Sequence, residues 1–195
     1  MKTLKNYLNV LFFTILLLSF TILSGQLLAA EGKSDILITS IGQSADARMI
    51  NVMLTRNGIE TAYEQIAKPE IIKDYKVIIA VVGGSSKGLG AAGIDRDDEI
   101  ARTKELLQEI KVREVPLLVM HIGGEARRGA LSDAFLDEIV PYADHLIIVE
   151  SGNMDGYFTK MSEENEISFE QVEKIVDTGT LVKNYLENHL TQEDN

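Results

Sequence analysis

Apolar runs recur along this chain, and each stops at a glycine or at a polar cluster containing one. Ile36–Ile41 precedes Gly42, Val77–Val82 precedes Gly83, Leu117–Ile122 precedes Gly123, and Leu146–Val149 precedes Glu150-Ser151-Gly152. Short continuous apolar runs bounded by turn residues are how strands buried on both faces read. The segments between them carry helical periodicity, and strands alternating with helices define a parallel α/β sheet. The pattern predicts strands over Ile36–Ser40, Ile59–Gln65, Lys76–Val82, Val115–Ile122, His145–Val149 and Ile167–Val172. It predicts helices over Ala45–Arg56, Asp95–Val112, Ser132–Val140 and Asp177–Leu190, with a shorter one before Asn165. In the first helix Ala45, Met49, Val52 and Met53 form the expected inward face, and Gly58 the left-handed stop. Ser132 is the expected cap of its helix. Gly83–Ile94 reads as a long glycine-rich loop. The expected architecture is a three-layer Rossmann-like or flavodoxin-like domain with a mostly parallel sheet of five or six strands.

The first thirty residues are of another kind. Lys2 and Lys5 are followed by an apolar stretch of 14 residues, Val10–Leu23, and then by small residues ending Leu28-Ala29-Ala30. That is the form of a secretory signal peptide cut after Ala30. The alternative, an N-terminal membrane anchor, needs about 20 apolar residues. The expected organisation is a signal over 1–30 and one α/β domain over 31–195, exported to the periplasm or beyond. The chain has no cysteine, which removes disulfides, thiol catalysis and a lipoprotein acceptor, and leaves the core to hold the domain.

The formal charge is −11, and without residues 1–30 it is −13. Nucleic-acid binding needs a basic face and is excluded on that ground. Within so acidic a chain, the few cations near strand ends stand out.

Parallel sheets bind ligands outside the carboxyl ends of their strands, where the strand order reverses. With the first and third strands as neighbours, two loops meet there: Gly42-Gln43-Ser44-Ala45-Asp46 and Gly83-Gly84-Ser85-Ser86-Lys87-Gly88-Leu89-Gly90. Glycine admits close backbone approach, helix starts offer N–H groups to an anion, and Lys87 adds charge. The loop after the fourth strand carries His121, Glu125, Arg127 and Arg128, the two arginines forming an expected anion clamp at the rim or, alternatively, a pair of surface charges balancing Asp133 and its neighbours. The loop after the fifth carries Asn153 and Asp155, groups for hydroxyls or a cation. The acidic run Asp95-Arg96-Asp97-Asp98-Glu99 reads as helix capping rather than metal binding, with Asp98 and Arg102 spaced to pair. No metal site and no cofactor are read from the chain.

Several family likenesses bear on these residues. Gly84–Gly90 is similar to the glycine motif of short-chain dehydrogenases, but follows the third strand instead of the first, and no tyrosine has a lysine four residues on. Val81-Val82 stand where a phosphoacceptor receiver would have its aspartate, and the first loop is poor in the hydroxyls of a flavodoxin phosphate loop. Gly42-Gln43-Ser44 resembles the nucleophile block of SGNH-type esterases, which implies Ser44 as nucleophile; their late Asp-x-x-His is missing, leaving His121 as base. His121-Ile122-Gly123-Gly124, Arg127-Arg128-Gly129 and Gly152-Asn153-Met154-Asp155-Gly156 resemble small exported bacterial α/β domains of unknown function. That likeness implies fold and export, and no activity.

The resulting expectation is a non-catalytic binding module for a small polar, anionic ligand at the carboxyl edge of the sheet. Its floor is Ser44, Ser85, Ser86 and Lys87 and its rim Arg127 and Arg128, with Gln43, Asp46, Gly84, Gly88, His121, Glu125, Asn153 and Asp155 as further ligand-binding residues. One alternative is a serine hydrolase using Ser44 and His121. Another is an interaction domain accessory to a membrane transporter or sensor.

Overall fold

The computed structural model describes residues 34–190; the signal-peptide reading and the tail Thr191–Asn195 lie outside them. Six parallel strands form one sheet in the order β2-β1-β3-β4-β5-β6. They are β1 Ile36–Ile41, β2 Ala62–Tyr63, β3 Val77–Val82, β4 Leu117–His121, β5 His145–Val149 and β6 Ser168–Val172. The helices are α1 Asp46–Arg56, α2 Ser86–Ala92, α3 Arg96–Arg113, α4 Ala130–Ile139, α5 Tyr157–Asn165 and α6 Thr178–Leu190. The order reverses between β1 and β3, which run in register from Ile36 beside Val77 to Ile41 beside Val82.

Alternation along each strand divides the core in two. Leu37 and Ile41, Ile78, Ala80 and Val82, and Leu117 and Val119 face one side, where α2, α3, α4 and α5 cover them through residues such as Leu89, Leu107, Phe135 and Phe158. Ile36 and Ile38, Val77, Ile79 and Val81, and Leu118 and Met120 face the other, under α1 and α6. Both faces are buried because helices lie on both, and this is why the central strands carry no polar alternation. Among the described residues no helix is long and apolar enough to cross a membrane.

Four local expectations are corrected. The presumed loop after β3 contains helix α2, because the Ser85 hydroxyl caps it by accepting the Gly88 N–H at 3.0 Å. The second strand shrinks to Ala62–Tyr63, an edge segment with a single neighbour. Helix α4 starts at Ala130, not at Ser132, since Gly129 turns the chain at φ 131°. Ser132, the third residue of the helix, instead accepts the Gly84 N–H at 2.8 Å. Helix α1 packs through Ala47, Ile50 and Leu54, while Met49 and Val52 face outward at 46% and 37% exposure. This helix is apolar on two faces, so periodicity alone does not select the buried one.

Candidate functional site

The loops after β1 and β3 are zipped together at the switch point. Ser44 N–H donates to Gly83 O at 3.1 Å, and Ser85 N–H donates to Gly42 O at 2.9 Å. Gln43 adopts φ 61°, a left-handed conformation unfavourable for a side chain that is not glycine. A buried carboxylate holds it there. Glu99, fully buried at the first turn of α3, accepts the Gly42 N–H at 2.8 Å and Gln43 Nε2 at 2.9 Å. Arg102 neutralises that carboxylate through Nε at 2.8 Å and a terminal nitrogen at 2.7 Å, and donates onward to Ala67 O and Ser40 O. The expected Asp98–Arg102 pair is therefore replaced by Glu99–Arg102, three residues apart on the helix. Asp98 instead completes a capping box with Asp95.

Outside these loops lies a cleft of about 600 Å³ lined by Gln43, Ser44, Ser85, Lys87 and Gly88 from the predicted set, and by Arg48, Tyr63 and Gln65. Arg48 was missed because it sits on a helix, two residues beyond the loop that drew notice. The Arg48 guanidinium lies 5.2 Å from the Tyr63 ring centroid, within cation–π range. Burial raises the Tyr63 hydroxyl above its ordinary pKa, against the pull of Arg48. Neither Arg48 nor Lys87 has a carboxylate partner among the described residues, and none of the residues lining the cleft is acidic. Gln43 Oε1 is a buried acceptor that no described group satisfies.

The other predicted residues do different work. Ser86 is exposed at the start of α2 and does not line the cleft. Gly84 packs against Leu131 and Ser132. Asp46 is buried, with Oδ2 near Gly83 and Gly123 and without a hydrogen-bond partner. Its N–H donates to Ser44 Oγ at 3.3 Å.

The expected arginine clamp is corrected by its pairing. Arg128 bonds Asp133 at 2.8 Å, both Asp155 oxygens at 3.0 Å and Gly152 O at 2.6 Å, and lies 4.8 Å from the Tyr157 ring centroid. Burial alone would lower its pKa, but the bonds to Asp133 and Asp155 hold it above its ordinary value. In return, the hydrogen bonds from Arg128 hold exposed Asp155 below the usual carboxylate range. Asn153 Oδ1 accepts the Phe158 N–H at 2.8 Å, and its amide donates to Thr159 and Gln171. This group therefore fastens the β4 and β5 loops to α4 and α5. Arg127 and Glu125 are exposed on a separate turn, with the Arg127 stem folded over Gly123.

His121 is fully buried beside Phe158, the ring centroids 5.5 Å apart. Its Nδ1 lies 3.0 Å from Val82 O and its Nε2 3.2 Å from Gly124 O. A neutral imidazole donates to only one of them. Burial lowers its pKa despite both carbonyls and Asp46, and Arg128 adds to the lowering. No hydrogen bond joins His121 to Ser44 among the described residues.

The fold and this edge define a three-layer α/β protein with a cationic cleft at the switch point of its sheet. The chain belongs to the family described as a domain of unknown function, DUF6305, whose model matches residues 33–186. Among solved structures it is similar to AlinE4, an esterase of the SGNH-hydrolase family, at 15% identity and a TM-score of 0.31, over 85% of this chain and 87% of that one. Two mutants of AlinE4 match over the same shares at TM-scores of 0.30, with 13% and 15% identity. Likeness at this level transfers no activity. No curated protein matches the chain.

Proposed function

We propose that this protein is an exported, non-catalytic binding module for a small anionic ligand, held in the cleft beside the β1 and β3 loops. One observation carries the reading. Arg48 and Lys87, two cations left without carboxylate partners among the described residues, line one cleft of a chain with thirty acidic residues, and none of the described acids lines it. Ser85, Gln65 and Gln43 supply hydrogen-bonding groups beside them, and an anion between the two cations would gain charge-assisted bonds. Ser44 belongs to the same wall, but its hydroxyl is engaged with the Asp46 N–H. The position of His121, with both ring nitrogens on backbone carbonyls, gives Ser44 no base and favours binding over hydrolysis.

Thermal unfolding in phosphate and in short carboxylates tests this. A ligand at a hundred times its Kd adds about 2.7 kcal/mol, or roughly 5–10 °C for a domain this size. The shift is expected to vanish in Arg48→Ala and Lys87→Ala and to survive in Arg127→Ala. The reading fails if no anion shifts the transition, or if hydrolysis of a generic ester is lost in Ser44→Ala.

A further inference from the structure

Helix α1 carries an apolar strip on its outer face that the core does not use. Met49 and Val52 are 46% and 37% exposed, and Val176, opposite them, is 71% exposed. With Met53 and Ile175 they line a groove of about 580 Å³. Residues 45, 48, 49, 52, 53 and 56 recur at helical spacing, so the groove follows the helix axis for about 16 Å. It begins at Ala45 and Arg48, which also line the cationic cleft. Among the described residues no acid lines either depression, and the groove ends at a second arginine, Arg56, which has no carboxylate partner there. The cationic cleft and the apolar groove thus share a wall, with Arg48 at the junction.

We propose that the two form one site for a single-chain anionic amphiphile. Its carboxylate or phosphate head lies between Arg48 and Lys87, and its alkyl chain runs over Met49, Val52 and Met53 against Val176. This rests on the anion-binding reading above and names the class of ligand. The charge of the lining fits an anionic head, and its continuity with an apolar strip fits an attached tail. Nine residues line the groove, well short of the roughly 20–30 a side of a standard protein interface. A bilayer surface is disfavoured as occupant, because docking on it would bring the whole chain's charge of −11 against anionic lipid, whereas a single anionic molecule meets only the local cations Arg48 and Lys87.

The test is calorimetric titration of the full-length chain with butyrate, octanoate and dodecanoate, each below its micellar concentration, with dodecyl phosphate and dodecyltrimethylammonium beside them. The expected Kd falls about two- to fourfold per methylene, since a fully buried one contributes a factor of roughly four. Dodecyl phosphate is expected to follow dodecanoate, and the cationic amphiphile to bind at least tenfold more weakly. In the Met49→Ser/Val52→Ser double variant, both sites being exposed and the fold checked by circular dichroism, the gain per methylene is expected to collapse.

Equal affinity for butyrate and dodecanoate would overturn the amphiphile inference and leave the anion site standing. A chain-length gain that persists in the double variant would place the tail elsewhere, for instance on residues 1–33, and also overturn it. So would a drop in oligomeric mass in that variant by light scattering, since a second copy would then occupy the groove. Failure of all the anions, butyrate and phosphate included, would remove the anion-binding reading itself.

Discussion

Glu99 shows how much one side chain decides at this edge. It is fully buried, it carries the only charge facing Gly42 and Gln43 among the described hydrogen bonds, and Arg102 depends on it. Removing one member of a buried pair strands the other charge, at a cost of about 3–5 kcal/mol, whereas replacing both by apolar groups is often near neutral. Glu99→Ala is therefore expected to lose about that much in urea unfolding, and Glu99→Leu/Arg102→Met much less. Asp98→Ala removes half of a capping box and is expected to cost about 1 kcal/mol. Equal costs for Glu99→Ala and Asp98→Ala would mean that Glu99 serves only as a helix-terminal acid. The four carboxylates of the run Asp95–Glu99 carry the same charge, and the helical turn selects which of them points inward. That is why capping at Asp95 was legible in the sequence and the loop anchor at Glu99 was not.

At the scale of an element, helix α2 explains both the strength and the limit of reading glycine-rich stretches. Gly84, Gly88 and Gly90 mark the place where two loops meet, and the cleft is there. They also suggested an irregular loop, because glycine disfavours helix by about 1 kcal/mol relative to alanine. Gly88 is needed for another reason: a methyl there would collide with the Gln43 carbonyl oxygen, so the helix packs directly on the β1 loop. Gly90 has nothing within 4 Å of the equivalent position. Gly90→Ala is expected to raise stability by about 0.5–1 kcal/mol, and Gly88→Ala to lower it and to weaken anion binding together. Thermal unfolding with and without phosphate distinguishes them; a neutral Gly88→Ala would mean that the loop yields freely. The four central strands β1, β3, β4 and β5 were legible, since burial on both faces leaves continuous apolar runs, whereas the edge segment β2 is far shorter than its sequence suggests. Helix α1 was legible in extent but not in orientation, because Met49 and Val52 mimic a core face. Arg128 was legible as unusual and Asp133, five residues on, as a charge it could balance, whereas Asp155 lies on the loop after β5 and only the fold brings it there.

For the whole molecule, two properties follow from where the charges and histidines lie. The proposed export predicts that protein recovered outside the cytoplasm begins at Glu31, which intact mass decides; a chain retaining residues 1–30 in the membrane fraction would favour an anchor instead. The second property is pH dependence. Burial lowers the pKa of His121, and burial likewise lowers that of His145 despite Glu170, with His189 adding to the lowering. A histidine whose folded pKa lies below its unfolded value near 6.5 binds fewer protons folded than unfolded in the interval between the two. Its contribution is fully present above pH 6.5 and is lost as pH falls through that interval toward the folded value. Each such group adds a slope of at most about 1.4 kcal/mol per pH unit. The two lie on different parts of the sheet, His121 against Phe158 and His145 against Tyr185, so their slopes should add. Urea unfolding from pH 7.5 to 5 is expected to show falling stability, with a shallower slope in His145→Gln and a shallower one still when His121→Gln is combined with it. An unchanged slope in both variants would overturn this assignment, since Asp155, whose pKa Arg128 holds down, loses its contribution only as pH falls through the unfolded carboxylate value of about 4 and supplies no slope over this interval.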